Sequence, residues 1–599
     1  MRELSEKVIT CDVLIVGAGA AGLTGSATTG GLKTILVERQ KTLGGKTTLA
    51  SGMIWMPGNS TAKSYPIWKS RRFTDGKEQG KTYIENAVAM SDQHGNGVLS
   101  TTAGRRIDAF LTKGPEMIDF LRGRGFKWMK ARSSFPDHQP GLAGALPAGG
   151  RTLDPAVFDV ASLGSLGEYL SHEDKAPLVL RFEDFRVLTR PFASVQDFLK
   201  AGRMRLRSSL YSLYFKRPAS MGRSLVAQLL SICGDNGSTD IYTETELIGL
   251  WYEDGTIMGG SLKRGEETFR VRALRGVLLA TGDFDEYPRM SDVGFPSGGN
   301  QDIFLNDPQH GNGHAVALCQ SVAAKTCVTR EVRGIPTMKG LRTGRTTHAI
   351  FEISKPFSII VDNQGNRFFA ESRPHGDAAR SMYTRAEGRV AQDARAWLVL
   401  DQNYRRRYTL GGTHRWTDIT KALSEGILLE ADTIGTLADK IGIARQALES
   451  TIRRWNEMCG YGKDIHHKRG DDDYQRFMGD PRVTPNSCMG AIVRAPFYAV
   501  RISPGDVGRK KRLLTDEHGR VLQSDGRAIP GLYAAGNTSA CVLGATSLGA
   551  GGALASTMVF AYTAVQHMLS QLQGSPMSSN QGLVDEKTID ASELERSQD

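Results

Sequence analysis

The segment 11–39 constrains the fold of this chain more than any other. An apolar run of strand length leads into Gly17, Gly19 and Gly22, then into a helix of small residues and a second apolar run that ends at Glu38. The first glycine permits a tight turn, the second lets the backbone approach a pyrophosphate, and the third lets the helix pack closely on the sheet. The Glu38 carboxylate is placed to accept hydrogen bonds from ribose hydroxyls. The segment therefore predicts a dinucleotide-binding βαβ unit, with the helix N-terminus facing the phosphates.

The residues that follow favour FAD over NAD as the dinucleotide. A glycine pair and a hydroxyl-rich run, 44–53, come directly after the second strand, where flavoproteins carry the backbone along the pyrophosphate towards the flavin ring. Two distant segments, 276–284 and 529–537, each predict a strand that ends in a glycine turn. Three separated segments that converge on one cofactor predict a discontinuous FAD domain. The predicted FAD-binding residues are Gly17, Gly19, Ala20, Ala21, Gly22, Glu38, Arg39, Gly45, Thr47, Thr48, Ser51, Gly52, Ala280, Thr281, Gly282, Gly536, Asn537 and Leu548.

Composition and charge limit the class of protein. The chain has 599 residues, too many for one hydrophobic core, so two domains are expected. A net charge of +11 would suit nucleic acid, but the basic residues are scattered and no recognition motif accompanies them. The seven cysteines are far apart and show no metal-ligand spacing, which predicts free thiols, no metal site and a reducing compartment. Because neither a secretory signal nor a spanning apolar run is found, we expect a cytoplasmic protein.

The predicted fold class is α/β, with a Rossmann-like FAD-binding domain of the glutathione-reductase type. This domain is discontinuous, and an α+β catalytic cap domain is inserted into it. Its first part is expected at 1–335 and its second part at 509–572, with the cap at 336–508. The Ser-, Gln- and Glu-rich end of the chain, 573–599, is expected to be a disordered tail.

Two segments of the first part carry features of their own. The helical periodicity of 104–125 is expected to break around Gly114 and Pro115. Residues 202–217 interleave basic and apolar side chains. They form either a solvated helix that covers the body of the protein, or a patch for peripheral contact with a membrane through which a lipophilic substrate enters.

The chain resembles the FAD-dependent fumarate reductase and succinate dehydrogenase flavoprotein superfamily, and within it the 3-ketosteroid Δ1-dehydrogenases. The resemblance covers nearly all of residues 8–568 and is carried by the FAD segments together with 51–59, 149–155, 220–225, 365–371 and 496–508. It implies an inserted catalytic domain that closes over the flavin, and hydride exchange between flavin N5 and a carbon β to a carbonyl. Succinate dehydrogenases attach the flavin through a histidine, which segment 48–51 lacks, so non-covalent FAD is expected.

Hydrogen exchange next to a carbonyl needs a hydride partner, an acid or base at the α carbon, and a donor to the enolate oxygen. FAD supplies the first. The family places the second four residues after the counterpart of Glu371, as an Arg in fumarate reductases and a Tyr in ketosteroid dehydrogenases. That position is His375 in this chain, and an imidazole can take or give a proton near neutral pH. Two alternatives are Arg373 as the acid, and a solvent-facing His375 in a protein that has lost this chemistry.

The donor to the substrate oxygen is expected in the segment 544–551. Where this chain has Ser547, fumarate reductases have an Arg that clamps a carboxylate and ketosteroid dehydrogenases have a Tyr that reaches the ketone. A serine cannot form a bidentate ion pair, which argues against a dicarboxylate substrate. The Ser547 hydroxyl or the backbone N–H of Gly551 can still polarise a neutral ketone. A third aromatic position of the family falls near 135–138.

The sequence therefore predicts an FAD-dependent oxidoreductase that dehydrogenates the α,β bond of a bulky, apolar ketone such as a steroid or terpenoid. Enone reduction uses the same groups, so the direction stays open, as do the electron acceptor and the oligomeric state. Two other functions are retained as alternatives: a fumarate-reductase-like enzyme for small unsaturated acids, and a flavin-binding protein without turnover.

Overall fold

The computed structural model describes residues 8–60, 75–92, 101–130, 135–170, 178–282, 314–329, 334–386, 396–505, 510–544, 546–571 and 587–590. The strands are β1 Val8–Val16, β2 Thr34–Val37, β3 Ile54–Trp55, β4 Trp128–Lys130, β5 Thr152–Pro155, β6 Phe158–Asp159, β7 Pro218–Ala219, β8 Thr239–Tyr242, β9 Thr245–Glu253, β10 Thr256–Arg264, β11 Glu267–Leu279, β12 Thr326–Thr329, β13 Thr337–Lys339, β14 Thr346–His348, β15 Ser358–Val361, β16 Ala396–Leu400, β17 Leu428–Ala431, β18 Phe497–Ile502, β19 Lys510–Leu513, β20 Arg520–Leu522, β21 Ala528–Ala534 and β22 Lys587–Asp590. The α-helices are α1 Ala20–Thr28, α2 Lys77–Asp92, α3 Thr101–Gly123, α4 Asp184–Leu188, α5 Val195–Tyr214, α6 Met221–Asn236, α7 His314–Ser321, α8 His375–Ala386, α9 Gln402–Arg407, α10 Thr420–Ser424, α11 Ile434–Ile441, α12 Arg445–Tyr461, α13 Asp473–Met478 and α14 Gly552–Ser570.

The largest sheet has nine strands and is built on the predicted dinucleotide-binding unit. Strand β1 runs parallel to β2 on one side and to β11 on the other. The long strand β11 pairs through its first half with β10, antiparallel, and through its last residues with β21, parallel. One sheet thus draws strands from separated parts of the chain, which confirms the predicted discontinuous α/β fold.

Small and β-branched residues explain the packing of this unit. Val13 and Ile15 of β1 are fully buried, as expected for a parallel strand covered on both faces. All nine residues of α1 are buried, and most of them are small. A Cβ at Gly25 would lie 2.8 Å from Cδ2 of Leu278, so the missing side chain lets α1 lie close to β11. Helix α14 also packs against α1.

A second unit lies in the chain between β11 and β21. Its sheet is antiparallel, in the order β15-β16-β18-β17, and α11 and α12 pack on it around the buried Trp455. The pair β12–β19 joins the chain that enters this unit to the chain that leaves it. This arrangement is the predicted inserted α+β unit. The predicted boundary at 335/336 falls between β12 and β13, whereas the boundary at 508/509 lies outside the described residues.

The structure corrects two sequence expectations. Helix α3 runs through Pro115 without a break. The residue before a proline normally avoids the helical conformation because its Cβ collides with the ring, and Gly114 has no Cβ. In the predicted disordered tail, Lys587–Asp590 forms β22, because the outer edge of β9 offers free backbone groups for antiparallel pairing. The other tail residues lie outside the described residues.

Candidate active site

The turn after β1 places the three predicted phosphate-binding glycines. Gly17 has a φ of 100°, and a Cβ there would lie 2.4 Å from the carbonyl oxygen of Ala280. A Cβ at Gly22 would lie 1.8 Å from the carbonyl oxygen of Gly17, so α1 packs on the turn only without a side chain. Gly19 is the N-cap of α1. These positions match the roles that a dinucleotide fingerprint gives its glycines.

A cavity of about 360 Å³ opens at the carboxyl ends of β1, β2 and β11. The predicted FAD-binding residues on its walls are Gly17, Gly19, Ala20, Ala21, Glu38, Arg39, Gly45, Thr47, Ala280, Thr281, Gly282, Gly536 and Asn537. They come from all three separated segments. Nucleotides bind at this edge in doubly wound sheets, outside the carboxyl ends of the strands.

Five predicted residues lie outside the walls of this cavity, namely Gly22, Thr48, Ser51, Gly52 and Leu548. Gly52 packs on the next layer, where a Cβ would lie 2.5 Å from the carbonyl carbon of Met221. The Thr48 hydroxyl donates a hydrogen bond to the Gly45 carbonyl oxygen at 2.8 Å. Direct FAD contacts of these five residues stay predictions.

Polar groups on the cavity wall fit the ribose and pyrophosphate of FAD. Glu38 accepts a hydrogen bond from the backbone N–H of Ala18 at 2.8 Å, which holds its carboxylate at the end of β2. The Thr47 hydroxyl accepts from the N–H of Ala20 at 3.1 Å, in the first turn of α1. An acid at this position can bind the ribose hydroxyls, and the N-terminus of a helix can bind the pyrophosphate.

Two glycines leave the backbone open to the ligand. Among the described residues, no heavy atom lies within 4 Å of a Cβ built at Gly45 or at Gly282. Side chains at these positions would fill the cradle, whereas glycines let a pyrophosphate or a flavin ring approach the backbone closely. The residues present therefore fit FAD.

A second site forms around His138, His375 and Ser547, which come from three distant parts of the chain. The His138 Nδ1 lies 2.7 Å from the Ser547 Oγ. The ring centroids of His138 and His375 are 5.9 Å apart, with one ring edge-on to the other. A Cβ at Gly376 would lie 3.9 Å from the Cβ of Ser547, so α8 begins directly beside the serine. The predicted base and the predicted oxygen-binding group therefore lie in one cluster, together with a second imidazole.

The carbonyl oxygen of Leu548 holds this cluster together. It accepts a hydrogen bond from the backbone N–H of His138 at 2.9 Å and another from the Tyr83 hydroxyl at 2.8 Å. The Tyr83 oxygen in turn accepts from the backbone N–H of Gln139 at 3.0 Å. These bonds fix the backbone on both sides of the contact between His138 and Ser547.

Asp137 anchors the same loop from inside the protein. Its carboxylate accepts hydrogen bonds from Trp55 Nε1 at 2.7 Å, from the N–H of Leu146 at 2.8 Å and from Arg151 Nη1 at 2.7 Å. Arg151 also pairs with Asp75 at 2.8 Å. Burial raises the pKa of Asp137 to about 6, against the effect of Arg151. The network therefore holds Asp137, and with it the adjacent His138, in one position.

Both imidazoles are neutral at neutral pH. Burial lowers the pKa of His375 to about 4, and the nearby His348 adds to the effect. Burial and then the charge of His375 lower the pKa of His138 well below its usual value. His375 is the first residue of α8, where the helix dipole also disfavours a cation. Arg373 is exposed to solvent, so His375 is the candidate acid or base that lies at the cluster.

Gly551 lies at the N-cap of α14 and has a φ of 95°. A Cβ there would lie 2.2 Å from the carbonyl oxygen of Met53, so the position requires glycine. Its N–H has no acceptor within the described part of the chain. A backbone N–H without a protein acceptor can donate to a substrate oxygen, which is the role that the sequence predicts for Gly551.

Aromatic side chains form a wall beside the imidazoles. The centroid of the Tyr474 ring is 4.7 Å from that of His138, and the centroid of Phe135 is 6.0 Å from it. The ring centroid of Phe135 lies 5.3 Å from that of Phe182 and 4.7 Å from that of Phe477. The same apolar cluster contains Met53, Ile350, Phe351, Met478 and Ala550. An apolar wall around a few polar groups is the usual form of a site for a small, largely apolar ligand.

Comparisons with known proteins agree with this geometry. Residues 12–554 match the FAD binding domain family. The chain is 31% identical over 574 residues to the 3-oxosteroid 1-dehydrogenase of Mycobacterium tuberculosis, covering 94% of this chain and 98% of that protein. It is 30% identical over 585 residues to the 4-oxocyclohexanecarboxylate 2-dehydrogenase of Sinomonas cyclohexanicum, covering 94% of both. The crystal structure of the 3-ketosteroid Δ1-dehydrogenase of Sterolibacterium denitrificans, in complex with 1,4-androstadiene-3,17-dione, superposes with a TM-score of 0.82 at 26% identity and covers 93% of this chain and 99% of that chain.

The chain belongs to the FAD-binding flavoprotein family, in its 3-ketosteroid dehydrogenase branch. This confirms the resemblance drawn from the motifs and the assignment of FAD as the cofactor. The flavoprotein is an oxidoreductase that acts on CH–CH bonds. Among its described residues, no cluster of side chains is suited to a metal ion.

Several residues of the candidate site are not indicated by any local sequence pattern. His138 lies in the segment 135–138, to which the resemblance assigned only an aromatic position of the family. Tyr474, Phe182 and Phe351 were not predicted at all. Tyr474 lies on the short helix α13, which carries no motif, and the two phenylalanines lie in segments with no regular spacing. Their proximity to the imidazoles arises from tertiary contacts, so no local pattern could have indicated it.

An ion network in the inserted unit holds the segment before His375. Arg367 donates to Glu371 through Nε at 3.0 Å and Nη2 at 2.8 Å, and to Asp464 at 2.8 Å. Arg469 lies 3.1 Å from the same Glu371 carboxylate. Burial opposes the charge on both acids, but the arginines overcome it. They lower the pKa of Glu371, and Arg367 lowers the pKa of Asp464 to about 2.

We expect Asp464→Asn to unfold more easily than the wild type at neutral pH, by about 2 kcal/mol. The folded pKa of Asp464, about 2, lies below its unfolded value of about 3.9. The ionised carboxylate therefore stabilises the fold above the unfolded value, and this contribution is lost as the pH falls through the folded one. Denaturant unfolding at a series of pH values should show the two free energies converging at acidic pH. Asp439→Asn, which removes an exposed ion pair with Arg445, is the control and should change little; a pH-independent difference for Asp464→Asn would contradict the assignment.

Proposed function

We propose that this flavoprotein desaturates a steroid ketone next to its carbonyl group. The observation that carries the proposal is a cluster beside an aromatic wall, in which His138 bonds to the Ser547 hydroxyl and the neutral His375 imidazole lies against the His138 ring. The relative named for 3-oxosteroids and the related structure with a bound steroid dione support the substrate class. Relatives named as dehydrogenases support the oxidative direction.

Each group in the cluster has one role in this reaction. FAD, when bound, supplies the acceptor for the hydride that leaves the β carbon. His375 takes the proton that leaves the α carbon, and a carbon–carbon double bond forms between the two. The Ser547 hydroxyl donates to the ketone oxygen, where negative charge develops, while its Oγ accepts from the Nδ1–H of His138. The N–H of Gly551 supplies a second donor to the same oxygen.

The chemistry of the site disfavours a small dicarboxylate. Ser547 offers one hydroxyl where a dicarboxylate needs a cation, and Arg373 is exposed rather than at the cluster. An acid bound against Phe135 and Tyr474 would lie desolvated beside neutral imidazoles. A ketone of one or more apolar rings does not face this penalty.

His375→Ala should slow the reduction of bound flavin by a ketosteroid by ~10²-fold or more, because the proton acceptor is lost. The rate is measured as anaerobic bleaching of oxidised flavin after mixing with 4-androstene-3,17-dione. In the wild type the rate should hold at mildly acidic pH and fall as the pH drops through the His375 pKa of about 4. Arg373→Ala should match the wild type. A fast His375→Ala reaction, or an acid limb at the pKa of ordinary histidine, would remove His375 from the mechanism.

We propose that the flavin is bound without a covalent bond. The segment 44–56, which leads from the FAD cavity towards the cluster, contains no histidine, cysteine or tyrosine that could carry the ring. Acid precipitation of the holoprotein should therefore leave all of the flavin in the supernatant. Yellow, fluorescent protein in the pellet after washing would contradict this.

Helix α5 supports the membrane alternative for residues 202–217. Among the described helices, none combines the length and apolar character of a bilayer-spanning segment. However, Val195, Leu199, Leu206, Leu210 and Leu213 follow one another at helical spacing, and all are exposed, Leu213 by 82%. We define these five residues as the apolar stripe. In most surface helices such a stripe faces the core.

The charges around the apolar stripe suit an anionic bilayer. Lys200, Arg203 and Arg205 are exposed on the same helix. The acid of α5, Asp197, is buried against Arg190 and Arg482. We therefore propose that α5 lies in the interface of an anionic membrane, with its leucines in the acyl region. All seven cysteines are free thiols, which supports a location on the cytoplasmic side.

The triple variant Leu206→Glu, Leu210→Glu, Leu213→Glu should bind vesicles containing phosphatidylglycerol at least ~10-fold more weakly than the wild type, because each buried leucine contributes roughly 1.5–3 kcal/mol. Vesicle co-sedimentation measures the difference. Ile465→Glu, at an exposed apolar residue of the inserted unit, is the control and should bind like the wild type. Equal binding by the triple variant would contradict the proposal, as would a wild-type dimer that this variant dissociates.

A further inference from the structure

A second cavity, of about 720 Å³, lies between α4 and α5 and shares no lining residue with the FAD cavity. Among the described residues that line it, five are basic and two are acidic. The basic residues are Arg186, Arg190, Lys200, Arg203 and Arg207. The reaction proposed above does not use any of them. We call this space the basic cavity.

The acids near the basic cavity are already engaged. Asp184 pairs with Arg207. The Asp197 carboxylate lies 3.7 Å from Nε of Arg190, and the Asp480 carboxylate lies 3.8 Å from its Nη1. Their closer bonds go elsewhere, from Arg482 to Asp197 and from the hydroxyl of Tyr408 to Asp480.

The other lining acid, Glu183, lies 3.9 Å from Arg181. Arg181 does not line the cavity, so this pair brings one positive and one negative charge to its edge. The described acids therefore leave the basic cavity with an excess of positive charge.

Arg186 is partly buried in the basic cavity. Within the described part of the chain it has no carboxylate partner, and its Cζ lies 3.8 Å over the ring of Phe477. Burial lowers the pKa of Arg186 to about 10; the charge of Arg190 adds to the effect and that of Asp197 partly offsets it. A guanidinium that is desolvated beside another cation is stabilised by an anion that enters the cavity.

The aromatic wall connects Arg186 to the active site. The Arg186 guanidinium lies over the ring of Phe477, whose centroid is 4.7 Å from that of Phe135. The centroid of Phe135 is in turn 6.0 Å from that of the His138 ring. A rigid multi-ring ketone with its oxygen at Ser547 can extend along this wall towards Phe477, over which Arg186 lies. Arg186 therefore both lines the basic cavity and contacts the aromatic wall.

We propose that the basic cavity binds a carboxylate at the end of the substrate's side chain, so that the enzyme selects acidic steroid ketones over neutral ones. Arg186 can hold the carboxylate through a bidentate pair, and Lys200 and Arg203 add positive charge at the exposed rim. This inference rests on the proposed function and names the substrate class more narrowly.

The test compares three ketosteroids in lipid-free buffer with an artificial electron acceptor. They are the neutral 4-androstene-3,17-dione, a 4-ene-3-ketosteroid whose C17 side chain ends in a carboxylate, and the methyl ester of that acid. In the wild type, kcat/KM for the acid should exceed that for the ester by ~10-fold or more, since a charge-assisted bond contributes roughly 1.5–3 kcal/mol. Arg186→Gln should remove this preference by raising KM for the acid while kcat stays constant.

The controls separate this inference from the proposed function. Arg205→Gln removes a charge from the exposed face of α5 outside the cavity and should keep the preference, as should Arg186→Lys in part. Turnover of the neutral dione without a preference for the acid would overturn the basic cavity alone. An Arg186→Gln variant that slows all three substrates equally would also overturn it. If no ketosteroid reduces the flavin, the proposed function itself fails.

Discussion

The carbonyl oxygen of Leu548 is the acceptor that joins the segments of the candidate active site. It lies in the last segment of the FAD fold and accepts hydrogen bonds from the backbone N–H of His138 and from the Tyr83 hydroxyl. These bonds tie the loop that carries His138 to the segment that carries Ser547, and the Asp137 network anchors the same loop from inside the protein. Because a buried carbonyl left unpaired is costly, the three segments are held in one arrangement. The contact between the imidazole and the serine hydroxyl follows from this arrangement.

The two imidazoles of the candidate cluster are neutral, whereas charged side chains form the ion networks that support them. The imidazole of His138 is buried and that of His375 is partly buried, and this loss of solvent keeps both neutral at neutral pH. Full charges lie one layer away, in the pairs of Arg151 with Asp75 and Asp137 and of Arg367 with Glu371. Closed ion networks of this kind fix the backbone that carries each imidazole, while the space beside the rings stays apolar. A neutral base in an apolar site can take a proton without first losing one of its own.

The helices α4 and α5 give this molecule surfaces that the reaction does not explain. One face of α5 presents the apolar stripe to solvent, and the space between α4 and α5 holds the basic cavity. The two features are complementary, because an apolar molecule with an acidic end needs both an apolar approach and a cation. Arg186 contributes to the cavity and contacts the aromatic wall through Phe477, so it joins this region to the active site.

Local patterns predicted the FAD unit well because its chemistry is local. The turn at Gly17, the helix packing at Gly22 and the acid at Glu38 depend on neighbours within one βαβ unit, and their spacing follows from its geometry. The inserted unit was predicted from the resemblance and from where the FAD segments stop and resume. The helix break predicted at Gly114 and Pro115 was wrong because Gly114, which has no Cβ, can keep the helical conformation before the proline.

The sequence by itself determined the fold class, the cofactor and the residue types at His375 and Ser547. The tertiary structure alone decided that His138 bonds to Ser547, that Tyr474 and Phe135 form the wall, and that Arg186 lies at its end. These contacts join residues hundreds of positions apart, and each depends on how two units pack rather than on any repeat along the chain. The charge state of the imidazoles was also decided there, since burial lowers their pKa and burial is a property of the packed molecule.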